Sequence, residues 1–106
     1  MKIDFPGYAV GGLSVGEPAE LMLEMADCTL PNLPQTKPRY IMGVGMPDNI
    51  VKLVATSADM FDCVLPTRNG RNAYAFTEKG PLRMRNNVHI NDPRPIEDNC
   101  ECYCCK

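Results

Sequence analysis

The chain has 106 residues, 44% apolar and 23% charged, with a net charge of −2 from 11 basic and 13 acidic side chains. That supports one small domain and argues against a disordered segment. No apolar run approaches the ~20 residues that cross a bilayer, and Met1-Lys2-Ile3-Asp4-Phe5-Pro6-Gly7 lacks the apolar stretch of a signal peptide, so a cytoplasmic, soluble protein without membrane contact is expected.

Tyr8-Ala9-Val10 reads as a short buried strand that leaves through Gly11-Gly12. Val15-Gly16-Glu17-Pro18 opens a helix, because Pro18 suits a first turn and Glu17 and Glu20 suit its positive end. Leu21, Met22, Met25 and Cys28 form its expected apolar stripe, and Pro31 and Pro34 stop it. Tyr40 to Gly45 reads as a second strand interrupted by glycines. Pro47 starts a second helix with Ile50, Val51, Val54 and Ala58 expected on its inner face, and Met60 to Leu65 reads as a third strand. Near-continuously apolar strands alternating with helices are the pattern of parallel βα units.

After Pro66 the character changes. Thr67 to Gly70 is expected as loop, and Ala73–Thr77 with Leu82–Arg85 as a hairpin around Glu78-Lys79-Gly80-Pro81. Asn91 to Pro95 is a further loop before the cysteines. Charge shifts with character: residues 1–65 carry four basic and eight acidic side chains, residues 66–95 six and two, and residues 96–106 one and three. A basic segment inside an acidic chain points either to a local anionic partner or to a solvated face of mixed charge.

Three parallel strands leave both sheet edges open, and a (β/α)8 barrel takes ~250 residues, so the arithmetic points to part of such a barrel. The expected fold class is α/β, with residues 1–66 as barrel βα units. Residues 67–95 are expected as a basic loop and hairpin, and residues 96–106 as a separate cysteine-rich segment.

Chemistry concentrates at a few positions. Asp62 is a carboxylate within Met60-Phe61-Asp62-Cys63-Val64-Leu65, and a charge in an apolar strand is either hydrogen-bonded structure or catalysis. Asp59 lies at the strand start and Asp62 near its C-terminal end, where parallel barrels assemble their sites; this favours Asp62. The turns Gly11-Gly12-Leu13 and Gly43-Val44-Gly45 follow two other strands, either as plain tight turns or as places where backbone meets a flat ligand. Met42 reads as core packing.

Cys28 and Cys63 stand apart in apolar surroundings, whereas Cys100, Cys102, Cys104 and Cys105 crowd the last seven residues. In a reducing compartment such clusters are metal ligands more often than disulfides. Cys100, Cys102 and Cys105 have ligand spacing, while Cys104 adjoins Cys105 and is badly placed to join the same ion. Tetrahedral zinc needs four ligands. His89 is a weak candidate for the fourth; an exposed loop histidine is the favoured reading.

Taken together, Gly11-Gly12-Leu13-Ser14-Val15-Gly16-Glu17, then Pro38 to Gly45, then Asp59 to Asn72, then Cys100-Glu101-Cys102-Tyr103-Cys104-Cys105 resemble successive motifs of the tRNA-guanine transglycosylases. The resemblance runs the whole chain in order. It implies a zinc-containing (β/α)8 barrel that exchanges guanine at the anticodon wobble position of tRNA for a 7-deazaguanine, without a redox or nucleotide cofactor. Asp62 matches the nucleophile, which forms a covalent ribosyl-enzyme that the incoming base resolves. Gly12, Leu13 and Gly43 match backbone positions at the base, and Met42 the side chain packed on its face. Arg68 and Arg71 match contacts to the tRNA anticodon loop, and Cys100, Cys102 and Cys105 match three zinc ligands. The resemblance thus implies that residues 96–106 are the start of a zinc-binding subdomain.

Val15, where eukaryotic-type members tend to have glycine, implies the smaller base 7-aminomethyl-7-deazaguanine in preference to queuine. Departures from the family pattern include Thr56-Ser57-Ala58 at a helix end, Ala73 where glycine normally follows Asn72, and the extra thiol Cys104. The family's general acid/base aspartate is expected before this chain begins, and its histidine zinc ligand after it ends. Negligible activity is therefore expected of these residues alone, with a missing barrel half or a homodimer partner as possible complements. The alternatives are a non-catalytic tRNA-binding remnant using Arg68, Arg71, Arg83 and Arg85, or a truncated gene product with no stable fold.

Overall fold

In the computed structural model, which describes residues 3–106, three short apolar runs pair as a parallel sheet. They are β1 (Tyr8–Val10), β2 (Arg39–Ile41) and β3 (Met60–Phe61), in the order β1-β2-β3. Register runs Tyr8 to Arg39 and Val10 to Ile41, then Tyr40 to Met60 and Ile41 to Phe61. Parallel neighbours need crossovers, and α1 (Ala19–Thr29) and α2 (Pro47–Ala55) supply them. The result is a mixed α/β architecture. The chain divides into two compact units, Met1–Leu65 and Pro66–Lys106.

The core of the first unit is Val10, Met22, Ala26, Leu30, Ile41, Val44, Leu53 and Ala58. Several sequence expectations change here. On α1 the buried positions are Met22 and Ala26, continued by Leu30 in a 3-10 turn, whereas Leu21, Met25 and Cys28 are exposed. The stripe follows an i, i+4, i+8 line, and alanine at its centre keeps that face small. α2 buries Leu53 and half-buries Ile50, while Val51 and Val54 are 70% and 54% exposed. Ala58 is buried but lies beyond the helix, which ends at Ala55 before Ser57 turns to φ 81°. Apolar residues occupy more than one face of α2, so periodicity alone chose the wrong one.

β2 stops at Ile41 because Gly43 takes a left-handed φ of 76°, and β3 stops at Phe61. Asp62 therefore stands outside the ladder and is exposed, and is not a charge buried in a strand. Cys63 lies half-buried, so close to Gly45 that a Cβ on the glycine would overlap its side chain.

The expected loop at Thr67–Gly70 is instead the short helix α3 (Leu65–Arg71). Pro66 sits in its first turn, where a missing N–H leaves no bond unmade, so the proline starts a helix there. In the second unit β4 (Tyr74–Thr77) and β5 (Gly80–Arg83) pair antiparallel, Tyr74 opposite Arg83 and Thr77 opposite Gly80, around the two residues Glu78 and Lys79. Gly80 has a φ of 108°, so it belongs to the tight turn as well as the strand. A 3-10 turn at Asn87–His89 precedes the cysteine segment.

Candidate functional site

The C-terminal ends of the three parallel strands carry the candidate site of the first unit. Asp62 follows directly on β3, and its Oδ1 accepts two hydrogen bonds: one from the Tyr40 hydroxyl at 2.6 Å and one from the backbone N–H of Gly43 at 2.9 Å. Tyr40 pairs with Met60, two residues before Asp62, so strand alternation sends both side chains to one side of the sheet. The turn that puts Gly43 into the left-handed region also aims its N–H at the carboxylate. Both donors meet the same oxygen, and Oδ2 takes no donor from another side chain among the described residues.

The Tyr40 hydroxyl first, and the Gly43 N–H second, hold the Asp62 carboxyl below the ordinary carboxylate value; the same bond pushes the Tyr40 hydroxyl above its own. Asp62 is thus anionic at neutral pH and, among the described residues, has no cationic partner. Asp59 differs. It accepts from the buried Arg39 through the backbone N–H at 2.9 Å and Nε at 3.1 Å, and is tied into an ion pair at the other end of β3.

The Gly43 turn borders Asp62 through its N–H, and the Gly11-Gly12 turn, at the end of β1, lies against Met42 after β2. Gly12 has a φ of 78°, and Met42 lies so near Gly11 that a Cβ there would stand 3.2 Å from its sulfur. Met42 is 46% exposed, which corrects the core-packing reading. Leu13 is half-buried against the core, and Val15 is exposed.

The sequence reading gave Glu17 to the helix start, but its carboxylate reaches back over the loop. It accepts from the backbone N–H groups of Ser14 and Val15, the latter at 2.9 Å. With its own N–H, these bonds hold its carboxyl below the ordinary value. The spacing Ser14-x-x-Glu17 was the available signal, since glutamate three residues after serine commonly satisfies loop N–H groups. For Tyr40, also missed as a partner of Asp62, the signal was a hydroxyl inside an otherwise apolar strand.

In the second unit, Arg68 and Arg71 occupy the last turn of α3, both exposed and without an ion-pair partner among the described residues. Farther along, the Sγ atoms of Cys100, Cys102 and Cys105 lie within 4.8 Å of one another. Backbone N–H groups of Cys105 and Lys106 close on the carbonyl of Cys102, curling the segment so that its thiols converge. Hydrogen bonding from the Cys100 thiol, and then from the N–H groups of Cys104 and Cys105, holds the Cys102 thiol below its usual value. Three sulfurs on one ion at about 2.3 Å would stand about 3.8 Å apart, so the cluster suits a metal with little movement. Neither His89 nor Cys104 belongs to it.

These features define a class: a mixed α/β protein with an exposed, hydrogen-bonded carboxylate at parallel strand ends, an unpaired arginine pair and a three-thiol metal-type cluster. The family model described as queuine tRNA-ribosyltransferase matches residues 1–106. A queuine tRNA-ribosyltransferase of Natranaerobius thermophilus is 58% identical over 105 residues, covering 99% of this chain and 28% of the relative. Relatives of the same name from Pelotomaculum thermopropionicum and Acetivibrio thermocellus are 56% and 54% identical over the whole chain, covering 29% and 28% of their own lengths. The chain belongs to the queuine tRNA-ribosyltransferase family. It spans less than a third of the length of these relatives.

Proposed function

We propose that these residues form the nucleophile-bearing part of a tRNA-guanine transglycosylase, a partial (β/α)8 barrel followed by the start of a zinc-binding subdomain. The reading rests above all on Asp62: an anionic carboxylate, exposed at the C-terminal end of a parallel strand, with one oxygen held by Tyr40 and Gly43. The free Oδ2 attacks the ribose C1′ of the wobble nucleotide. A C1′–O bond forms as the C1′–N9 bond breaks, and guanine leaves with that electron pair and picks up a proton. The incoming 7-deazaguanine loses its N9 proton and attacks C1′, breaking the C1′–O bond and returning the carboxylate. Two inversions give net retention, as in retaining glycosidases.

Gly12, Leu13 and Gly43 present backbone groups to the base, and Met42, exposed beside Gly11, covers its face. Val15 fills the space a larger base would need, which favours 7-aminomethyl-7-deazaguanine over queuine. Arg68 and Arg71 contact the anticodon loop. Cys100, Cys102 and Cys105 hold zinc, which when bound ties this segment into a fixed shape. The reaction takes place in the cytoplasm, and no helix among the described residues is long and apolar enough to cross a membrane. With both edges of its sheet open, the chain alone gives only background base exchange.

A chimaera carrying this chain in place of the matching segment of the Natranaerobius thermophilus relative tests the reading. It is expected to incorporate labelled guanine into tRNA. Asp62→Ala should lower incorporation by about 10³-fold or more while leaving tRNA binding within about twofold. Incorporation that survives the substitution removes Asp62 as nucleophile, and a chimaera that binds tRNA without any exchange favours the non-catalytic reading.

A further inference from the structure

Of the eight asparagines in the chain, only Asn69 is followed by glycine. The pair lies in the last turn of α3. A glycine nitrogen has no Cβ beside it to hinder its approach to the side-chain carbonyl carbon of the residue before. Gly70 is exposed, and a Cβ built on it would meet nothing within 4 Å, so the surroundings leave this peptide room to turn. The Asn69 carboxamide is half-buried and makes no hydrogen bond among the described residues.

Little holds the pair in helical form. α3 has seven residues and buries none of them, and an isolated helix of that length is marginal in water. Its end is closed by the Asn72 N–H on the carbonyls of Arg68 and Asn69 at 3.2 and 3.0 Å, in an exposed position where water can replace both bonds. One residue further, Ala73 has a φ of 54°, a left-handed conformation that disfavours alanine. Opening of such an unburied turn costs little free energy.

The surroundings also suit the charge that the reaction develops. Asn69 shares a concavity of about 420 Å³ with Arg83 and Arg85, and no carboxylate lines it. Arg83 makes no side-chain hydrogen bond or ion pair among the described residues. Arg85 spends one Nη2 donor on the carbonyl of Arg71 at 3.4 Å and keeps its other N–H groups.

We propose that Asn69 is a site of self-modification, converting to aspartate and isoaspartate through a cyclic imide, with Arg83 and Arg85 stabilising the anions that form. Water takes the amide proton of Gly70, and the nitrogen's electron pair forms a bond to Asn69 Cγ. The Cγ–Nδ2 bond then breaks, and ammonia leaves after taking up a proton. Water adds next to one of the two imide carbonyls. Opening at Cγ restores the ordinary backbone and leaves an aspartate; opening at the main-chain carbonyl leaves isoaspartate, with the chain running through Cγ. Either route consumes one water and releases one ammonia, without oxidation or reduction. The guanidinium cations favour the anionic nitrogen and the oxyanion beside it, and then pair with the new carboxylate. The change is one-way, and it joins α3 to the hairpin by charge. It depends neither on Asp62 nor on which partner the chain binds.

The test incubates the intact, reduced chain at neutral and mildly alkaline pH. Fragmentation mass spectrometry locates the conversion, and isoaspartyl methyltransferase with labelled S-adenosylmethionine detects isoaspartate. Asn69 should convert about tenfold faster than Asn72, which precedes an alanine, and faster still as pH rises. Gly70→Ala should slow conversion about tenfold and fold unaltered, since its Cβ meets nothing within 4 Å. Arg83→Gln combined with Arg85→Gln should slow it about threefold, the size of a surface charge effect. Asn69→Asp should shift the Arg83 Nε–H resonance. Conversion of Asn69 no faster than that of Asn72, or about a hundredfold slower in the folded chain than in urea, would show that α3 closes the reaction and would overturn the proposal. A rate untouched by the arginine substitutions would overturn the part given to the concavity.

Discussion

The two units solve the problem of order differently. Every fully buried residue among the described ones lies in Met1–Leu65, where a parallel sheet and two helices pack around Ile41, Leu30 and Leu53. In Pro66–Lys106 no described residue is fully buried, and the hairpin, local turns and polar contacts give the segment its shape. The difference is compositional. The first unit has aliphatic side chains at helix and strand periods; the second has arginines, asparagines and thiols, which gain little from leaving water. The first unit thus resembles a frame that presents one carboxylate. The second is rich in thiols and cationic side chains, groups that a bound ligand would order, and any such binding would add to its stability.

The largest expected effect tests the frame. Leu53→Ala should cost about 2–5 kcal/mol, because the side chain is fully buried and its loss leaves a cavity. Chemical denaturation followed by amide exchange measures it, and the exchange of Tyr74–Thr77 should respond less than that of Arg39–Ile41. Equal loss of protection in both would mean that the units unfold as one and would dissolve the contrast.

A smaller effect is expected from metal. Adding zinc to the reduced chain should slow exchange around Cys100–Cys105 and leave β1–β3 unchanged, and Cys102→Ser should weaken zinc binding by an order of magnitude or more, since a thiolate ligand is lost. Zinc that protects β1–β3 as strongly as the cysteine segment would contradict the separation.

The smallest effect is local and electrostatic. The side-chain and backbone hydrogen bonds from Arg94 pull Asp92 down from the ordinary 3.8 to about 2. A carboxyl whose folded value is depressed adds stability that is full above its unfolded value and fades as pH falls through the folded one. That contribution should disappear between about pH 4 and 2. Carbon-detected titration of Asp92 should give the depressed value, and Arg94→Gln should return it toward 3.8. A midpoint near the ordinary value in the unaltered chain would show that the ion pair does not persist in solution.

The alternation of apolar strands with helices, the position of Asp62 toward the C-terminal side of the third apolar run and the thiol spacing were readable along the chain, because each depends on neighbours a few residues apart; that Asp62 stands outside the ladder was not. The same local logic misjudged the buried faces of α1 and α2. Leu21, Met25, Val51 and Val54 satisfy a helical period as well as Met22, Ala26 and Leu53 do, and only the sheet beneath decides between them. It also read Thr67–Gly70 as loop, where Pro66 instead sits in the first turn of the helix α3.

What the amino-acid order determined by itself was the kind of elements and the chemical groups at their ends. What tertiary structure alone decided was pairing across distance: Tyr40 and Gly43 on Asp62, Arg39 on Asp59, Met42 beside Gly11. These contacts depend on the register of parallel strands separated by whole helices, and a one-residue slip would send each side chain to the opposite face.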